Sequence, residues 1–182
     1  MLKRSKLVSI IVCMLLVTLI TPGIGFAYIY FSAGFVSPNF DIENRSTYSD
    51  VVTASKNAWN ATPTPTVITE VPGSGHNWID DDSYTDSWYG MYQAESLQYI
   101  ITGRATKFHI KTNRRLLVDK SSNFRQSVIV HELGHALCLQ DNPSATEEHK
   151  NDSIMNENRV RDTLIKPTQD DINGVNNAYG AN

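Results

Sequence analysis

Apolar residues recur with a helical period in three stretches of the chain and with a strand-like period between them. From Ser49, the positions Val51, Ala54, Ser55, Ala58 and Trp59 fall at i, i+3, i+4, i+7 and i+8. That spacing predicts an amphipathic helix with Ser49 as N-cap, Trp59 in the core and Thr62-Pro63-Thr64-Pro65 as its stop. Val67 to Val71 reads as a strand closed by Pro72-Gly73-Ser74-Gly75. Trp88 to Tyr92 and Leu97 to Ile101 are strand-like, and Thr102-Gly103-Arg104 is a turn. Ala105 to Thr112 alternates, which predicts a further strand with His109 half exposed. A second helix starts with Ser122 or Asn123 as its cap. A third runs from Pro167 to Gly180, with Ile172, Val175 and Tyr179 on one face. Residues 31–47 are irregular and read as an ordered arm or a first short strand.

The N-terminus changes the picture of where this chain works. Lys3, Arg4 and Lys6 precede an apolar run from Leu7 to Ile20 that is short for a membrane span, and small residues lead up to Ala27. This is the order of a signal peptide, so the expectation is cleavage after Ala27, secretion, and no stable membrane association afterwards. The alternative is an uncleaved anchor, since apolar residues continue through Phe31. The expected division is therefore a signal peptide over 1–27, an arm over 28–48 and one folded domain over 49–182. Cleavage removes three cations and no acid, taking the net charge from −3 to −6. An acidic domain has no electrostatic footprint for nucleic acid. Cys138 is the one cysteine left, so no internal disulfide can form.

The candidate chemistry lies in the second helix, at His131-Glu132-Leu133-Gly134-His135. Residues i and i+4 share a helix face, so both histidines can offer a ring nitrogen to one metal ion, zinc by donor type. At about 100° per residue, Phe124, Val128, His131 and His135 lie on one side and Ile129, Leu133, Ala136 and Leu137 on the other. Glu132 sits at the edge of the metal face, placed to act as a general base toward a zinc-activated water rather than as a ligand. A catalytic zinc needs a third protein ligand and an open position. Asp141, six residues beyond His135, is the candidate, provided the chain leaves the helix near residue 138 and bends back under the metal. His149 and Glu157 remain alternatives. The Cys138 thiolate is disfavoured as a ligand against a packed, inert thiol, since a continuing helix would put it roughly 10 Å along the axis from His131.

These residues, with Met155 in the polar stretch beyond them, resemble the metzincin metallopeptidases, whose pattern is H-E-x-x-H-x-x-G-x-x-H followed by a methionine turn. Asp141 stands where most of them have histidine, as in the snapalysin-like members, and Cys138 stands where they have glycine. The segment from Pro167 to Gly180 resembles the last helix of matrixin catalytic domains. The resemblance implies an α+β fold, a twisted mixed β-sheet with three α-helices. It also implies a zinc endopeptidase acting on protein or peptide substrates, with His131, His135 and Asp141 as ligands, Glu132 as base and Met155 in a turn beneath the metal. Substrate would add to an edge strand, expected within Ala105 to Asn113. Matrixins also carry structural calcium, and Asp80-Asp81-Asp82 is a calcium-type donor set by composition, beside its plainer reading as a solvated acidic loop. A second function class is open: an exported zinc-binding protein on a peptidase scaffold, impaired by Cys138 and Asp141.

Overall fold

The computed structural model describes residues 29–31, 33–73, 75–95, 103–143 and 145–180. The signal-peptide reading and the strand expected at Leu97 to Ile101 lie outside them. Five strands form the main sheet: β2 (Asn39–Asn44), β3 (Val67–Glu70), β4 (Trp78–Asp82), β5 (Gly90–Ala94) and β6 (Phe108–Asn113). Their order is β3-β2-β4-β6-β5. All neighbours are parallel except β5, which runs antiparallel to β6. A two-residue strand β1 (Ile29–Tyr30) pairs with β7 (Leu139–Gln140) apart from this sheet. The helices among the described residues are α1 (Ser49–Asn60), the one-turn α2 (Arg114–Leu117), α3 (Ser122–Ala136) and α4 (Gln169–Tyr179). The chain is thus α+β with a mixed five-stranded sheet.

Helix α1 is the crossover that parallel neighbours β2 and β3 require, and its apolar face follows the predicted spacing: Val51, Ser55, Ala58 and Trp59 are buried. The cap differs, because Tyr48 occupies the N-cap and Ser49 is already helical. Trp59 is fully buried, and its Nε1–H donates to the Val130 carbonyl of α3 at 2.9 Å. That bond satisfies the indole's one polar group, so burial carries no desolvation debt there. Ile42, Ile79 and Ile110 of adjacent strands, with Ile129 and Leu133 of α3, are fully buried and belong to the same core. Helices α1 and α3 pack against each other, α1 reaching the sheet at β3 and α3 at β5 and β6.

Two expectations about the strands are corrected. The acidic stretch is not a loop but β4, an interior strand, and its carboxylates are taken up by protein partners, Arg114 pairing with both Asp81 and Asp82. Asp80 meets His109 at 2.8 Å, Asp81 accepts from Ser46 and Thr47, and Asp82 accepts from the Ser83 backbone. Successive side chains of a strand point to opposite faces, so the three carboxylates do not converge as a calcium site would need. The second correction concerns the edge. β6, expected there, is covered by β4 and β5, and among the described residues the edge strands of the sheet are β3 and β5. His109 is accordingly buried, at 8% exposure, stacked on its cross-strand partner Trp78 with ring centroids 4.5 Å apart.

Candidate metal centre

Helix α3 starts one residue earlier than the sequence implies: Ser121 is the N-cap, its Oγ accepting from the Phe124 N–H at 3.0 Å. The helix ends at Ala136, and Cys138 then adopts φ 70°, the left-handed region expected where the helix must turn away. A residue with a Cβ stores about 1 to 2 kcal/mol there. The thiol is fully buried and points away from the histidines, contacting the Arg104 guanidinium and the Tyr179 hydroxyl, and burial pushes its pKa up. The reading of Cys138 as a packed thiol rather than a ligand accords with this.

The turn brings Asp141 back beneath the helix. Asp141 Oδ1 lies 3.0 Å from His131 Nε2 and 3.6 Å from His135 Nε2. The three candidate ligand atoms all fall within 4.8 Å of one another, and these residues form a group that could hold a metal ion. Their opposite ring nitrogens are fixed from behind: His131 Nδ1 contacts the Ile154 carbonyl at 3.0 Å and His135 Nδ1 the Leu139 carbonyl at 2.9 Å. A carbonyl oxygen only accepts, so each Nδ1 carries the proton and each Nε2 turns a lone pair toward Asp141. Burial, aided by Arg159, holds the His131 imidazole neutral, with its pKa lowered to about 3. Burial tends to raise the pKa of the Asp141 carboxyl, but the adjacent His131 and His135 and the nearby Arg159 outweigh it and hold it low. Two imidazole lone pairs thus face one carboxylate oxygen with no proton between them. A cation at their meeting point resolves that repulsion, and the donor set fits one.

The alternative ligands are not brought in. His149 is exposed and its Nδ1 meets Asp152 at 2.7 Å, while Glu157 is an exposed residue bordering a different hollow.

Glu132 is 5% exposed beside the ligand pair. Burial raises its pKa to about 7, partly offset by His135 and by a backbone hydrogen bond from Tyr92. Gly90 of β5 makes room for it: a Cβ there would lie 2.7 Å from Glu132 Oε1. Met155 is buried at 1% exposure in the turn beneath the helix, and a Cβ on Gly134 would lie 2.5 Å from its Sδ. The turn is itself held by α4. Asp171 accepts from Ser153 Oγ at 2.5 Å and from the Ile154 N–H at 2.9 Å, so the terminal helix orients the carbonyl that orients His131.

Several of these roles escape the sequence reading. Asp171 could have been found, since Thr168 and Asp171 form a capping box and that pattern is visible. Gly90, Tyr92 and Phe31 carry no local signal. Phe31, placed by the β1–β7 pairing, lies with its ring centroid 5.4 Å from that of His135 and walls a hollow of about 370 Å³ over the ligand group.

No family model matches the chain, and no curated protein matches it in sequence. Fold comparison does find similar structures. A chain of the GM1-bound form of the ECX AB5 holotoxin is similar with a TM-score of 0.55 and 15% sequence identity, over 84% of each chain. At that identity the likeness speaks to fold alone. No described helix is long and apolar enough to cross a membrane.

Proposed function

We propose that the chain is a secreted zinc-dependent endopeptidase of the metzincin type, with a matrixin-like fold, in which His131, His135 and Asp141 hold the ion. The observation that carries this reading is the convergence of three fixed lone pairs beside a buried carboxyl group with a pKa near 7. Two imidazole nitrogens and one carboxylate oxygen, open on one side to a hollow, are a donor set that suits catalytic zinc. When bound, zinc supplies Lewis-acid polarisation of a substrate carbonyl and makes a water acidic near neutral pH.

The chain's own residues supply the rest. Glu132 takes the proton from the attacking water and returns it to the leaving amine, and a pKa near 7 suits both transfers. The Tyr92 N–H and the space left by Gly90 keep its carboxyl in place. The edge strand β5 lines the same hollow through Gly90, Met91 and Tyr92, and its backbone is the one an extended peptide would lie along. Hydrogen bonds from the two Nδ1–H groups to carbonyls keep the Nε2 lone pairs aimed. The test is Glu132→Gln, which should keep one zinc per chain and lower peptide hydrolysis by at least about 10²-fold. Turnover at the parent rate would defeat the assignment of the base.

A further inference from the structure

The candidate site opens on two sides. Beyond His131 and Glu132 from the Phe31 hollow lies a second hollow of about 390 Å³, walled by Trp88, Tyr89, Glu157, Arg159 and Arg161. Its charges are arranged unusually. Arg159 is 4% exposed, and its guanidinium donates to the Ser127 Oγ and carbonyl and to the Asn156 carbonyl, all neutral groups. No carboxylate forms an ion pair with it among the described residues. Arg161 is half-buried over the rings of Tyr89 and Phe124, at 5.5 and 5.6 Å, and its Nε is a buried atom without a partner. Lys120 reaches the same two rings at 5.9 and 5.1 Å. The carboxyl groups bordering the hollow are those of Glu132 and Glu157. Glu157 is exposed, so water screens it, while the charge of Arg159 is not screened.

The hydrogen-bond partners of this buried cation are all neutral, and the carboxyl groups of Glu132, Asp141 and Asp171 act on it only without direct contact, an arrangement that is costly to keep. An anion arriving in the hollow would offset that cost, and a guanidinium fork recognises a carboxylate through paired hydrogen bonds. We infer that this second hollow is a subsite for a carboxylate of the bound peptide, with Arg161 as the contacting group and Arg159 as the buried positive charge behind it. The inference rests on the peptidase reading. The carboxylate has two sources: an Asp or Glu side chain next to the scissile bond, or the peptide's own C-terminus. The second would make the protein trim chains from their ends.

The experiment pairs binding with cleavage. Four peptides of one sequence carry Glu or Gln at the variable position, each with a free or an amidated C-terminus. Calorimetry measures their binding to the purified protein and to Arg161→Gln, and mass spectrometry of the same mixtures locates any cut. Arg161→Gln is preferred to an Arg159 variant because the three hydrogen bonds of Arg159 also tie the methionine turn to α3. The inference expects at least tenfold tighter binding of Glu over Gln, or of free acid over amide, with that ratio narrowed at least fivefold in the variant. Which ratio moves identifies the source. Ratios within twofold for both pairs would overturn the subsite, whether or not the peptides are cut. Selective binding without any cut would uphold the subsite and count against the peptidase instead.

Discussion

Gly90 gives a prediction that can be worked out from distances. In Gly90→Ala the new Cβ would lie 2.7 Å from Glu132 Oε1 and 2.8 Å from both Glu132 Cγ and Val128 Cγ1. Carbon contacts are comfortable at about 3.5 to 4.0 Å, so something must move by close to 1 Å. The β5 backbone is pinned by five register pairs on β6, from Gly90↔Thr112 to Ala94↔Phe108, and Val128 is buried in α3. The Glu132 side chain yields. A misplacement of about 1 Å in a catalytic geometry costs about 10²-fold in rate, so kcat/KM on a peptide should fall by roughly that factor. Stability changes less. Ala in place of Gly within a strand returns about 0.5 to 1 kcal/mol and overpacking costs about 1 to 3 kcal/mol, for a net loss of about 1 kcal/mol. Zinc content should stay at one per chain, since the substitution does not touch His131, His135 or Asp141. Turnover within threefold of the parent, with zinc retained, would refute the claim that Gly90 positions Glu132.

Asp141→Ala should weaken zinc binding by at least about 100-fold, read by competition with a chromogenic chelator; parent affinity would return attention to His149 or Glu157. Cys138→Val places a β-branched residue at φ 70° and should destabilise by about 1 to 2 kcal/mol, whereas Cys138→Gly relieves the backbone strain and should destabilise less than Cys138→Val by denaturant unfolding. For the metal-free protein, the unfolded chain protonates His131 near 6.5 and the folded one only near 3. Between those values the unfolded state binds more protons, so this group's contribution to stability falls on acidification, by about 2 kcal/mol at pH 5. A chelated sample whose melting temperature is unchanged from pH 7 to pH 5 would contradict that.

The elements best read from the sequence were those whose local pattern and tertiary packing agree. The spacing of Val51, Ala58 and Trp59 and the histidine pair at i, i+4 mark helices that the structure contains. The errors lie where distant residues decide. Asp80, Asp81 and Asp82 look like a solvated run until His109, Ser46 and Thr47 arrive as partners from other elements. His109 alternates like a half-exposed strand residue, yet Trp78 from β4 covers it. Edge and interior strands cannot be told apart without the pairing order, which is why the edge expected within Ala105 to Asn113 falls instead on the neighbouring strand β5. At the site, His131, Glu132 and His135 are local in sequence and were legible. Gly90 and Asp171 act on them only through the fold.

The most direct test of the central claim is metal content of the purified protein measured together with casein cleavage before and after chelation. The account predicts one zinc per chain, cleavage abolished by the chelator, and activity restored on adding zinc back. A protein that binds no zinc, or one that cleaves equally well without it, would contradict the account.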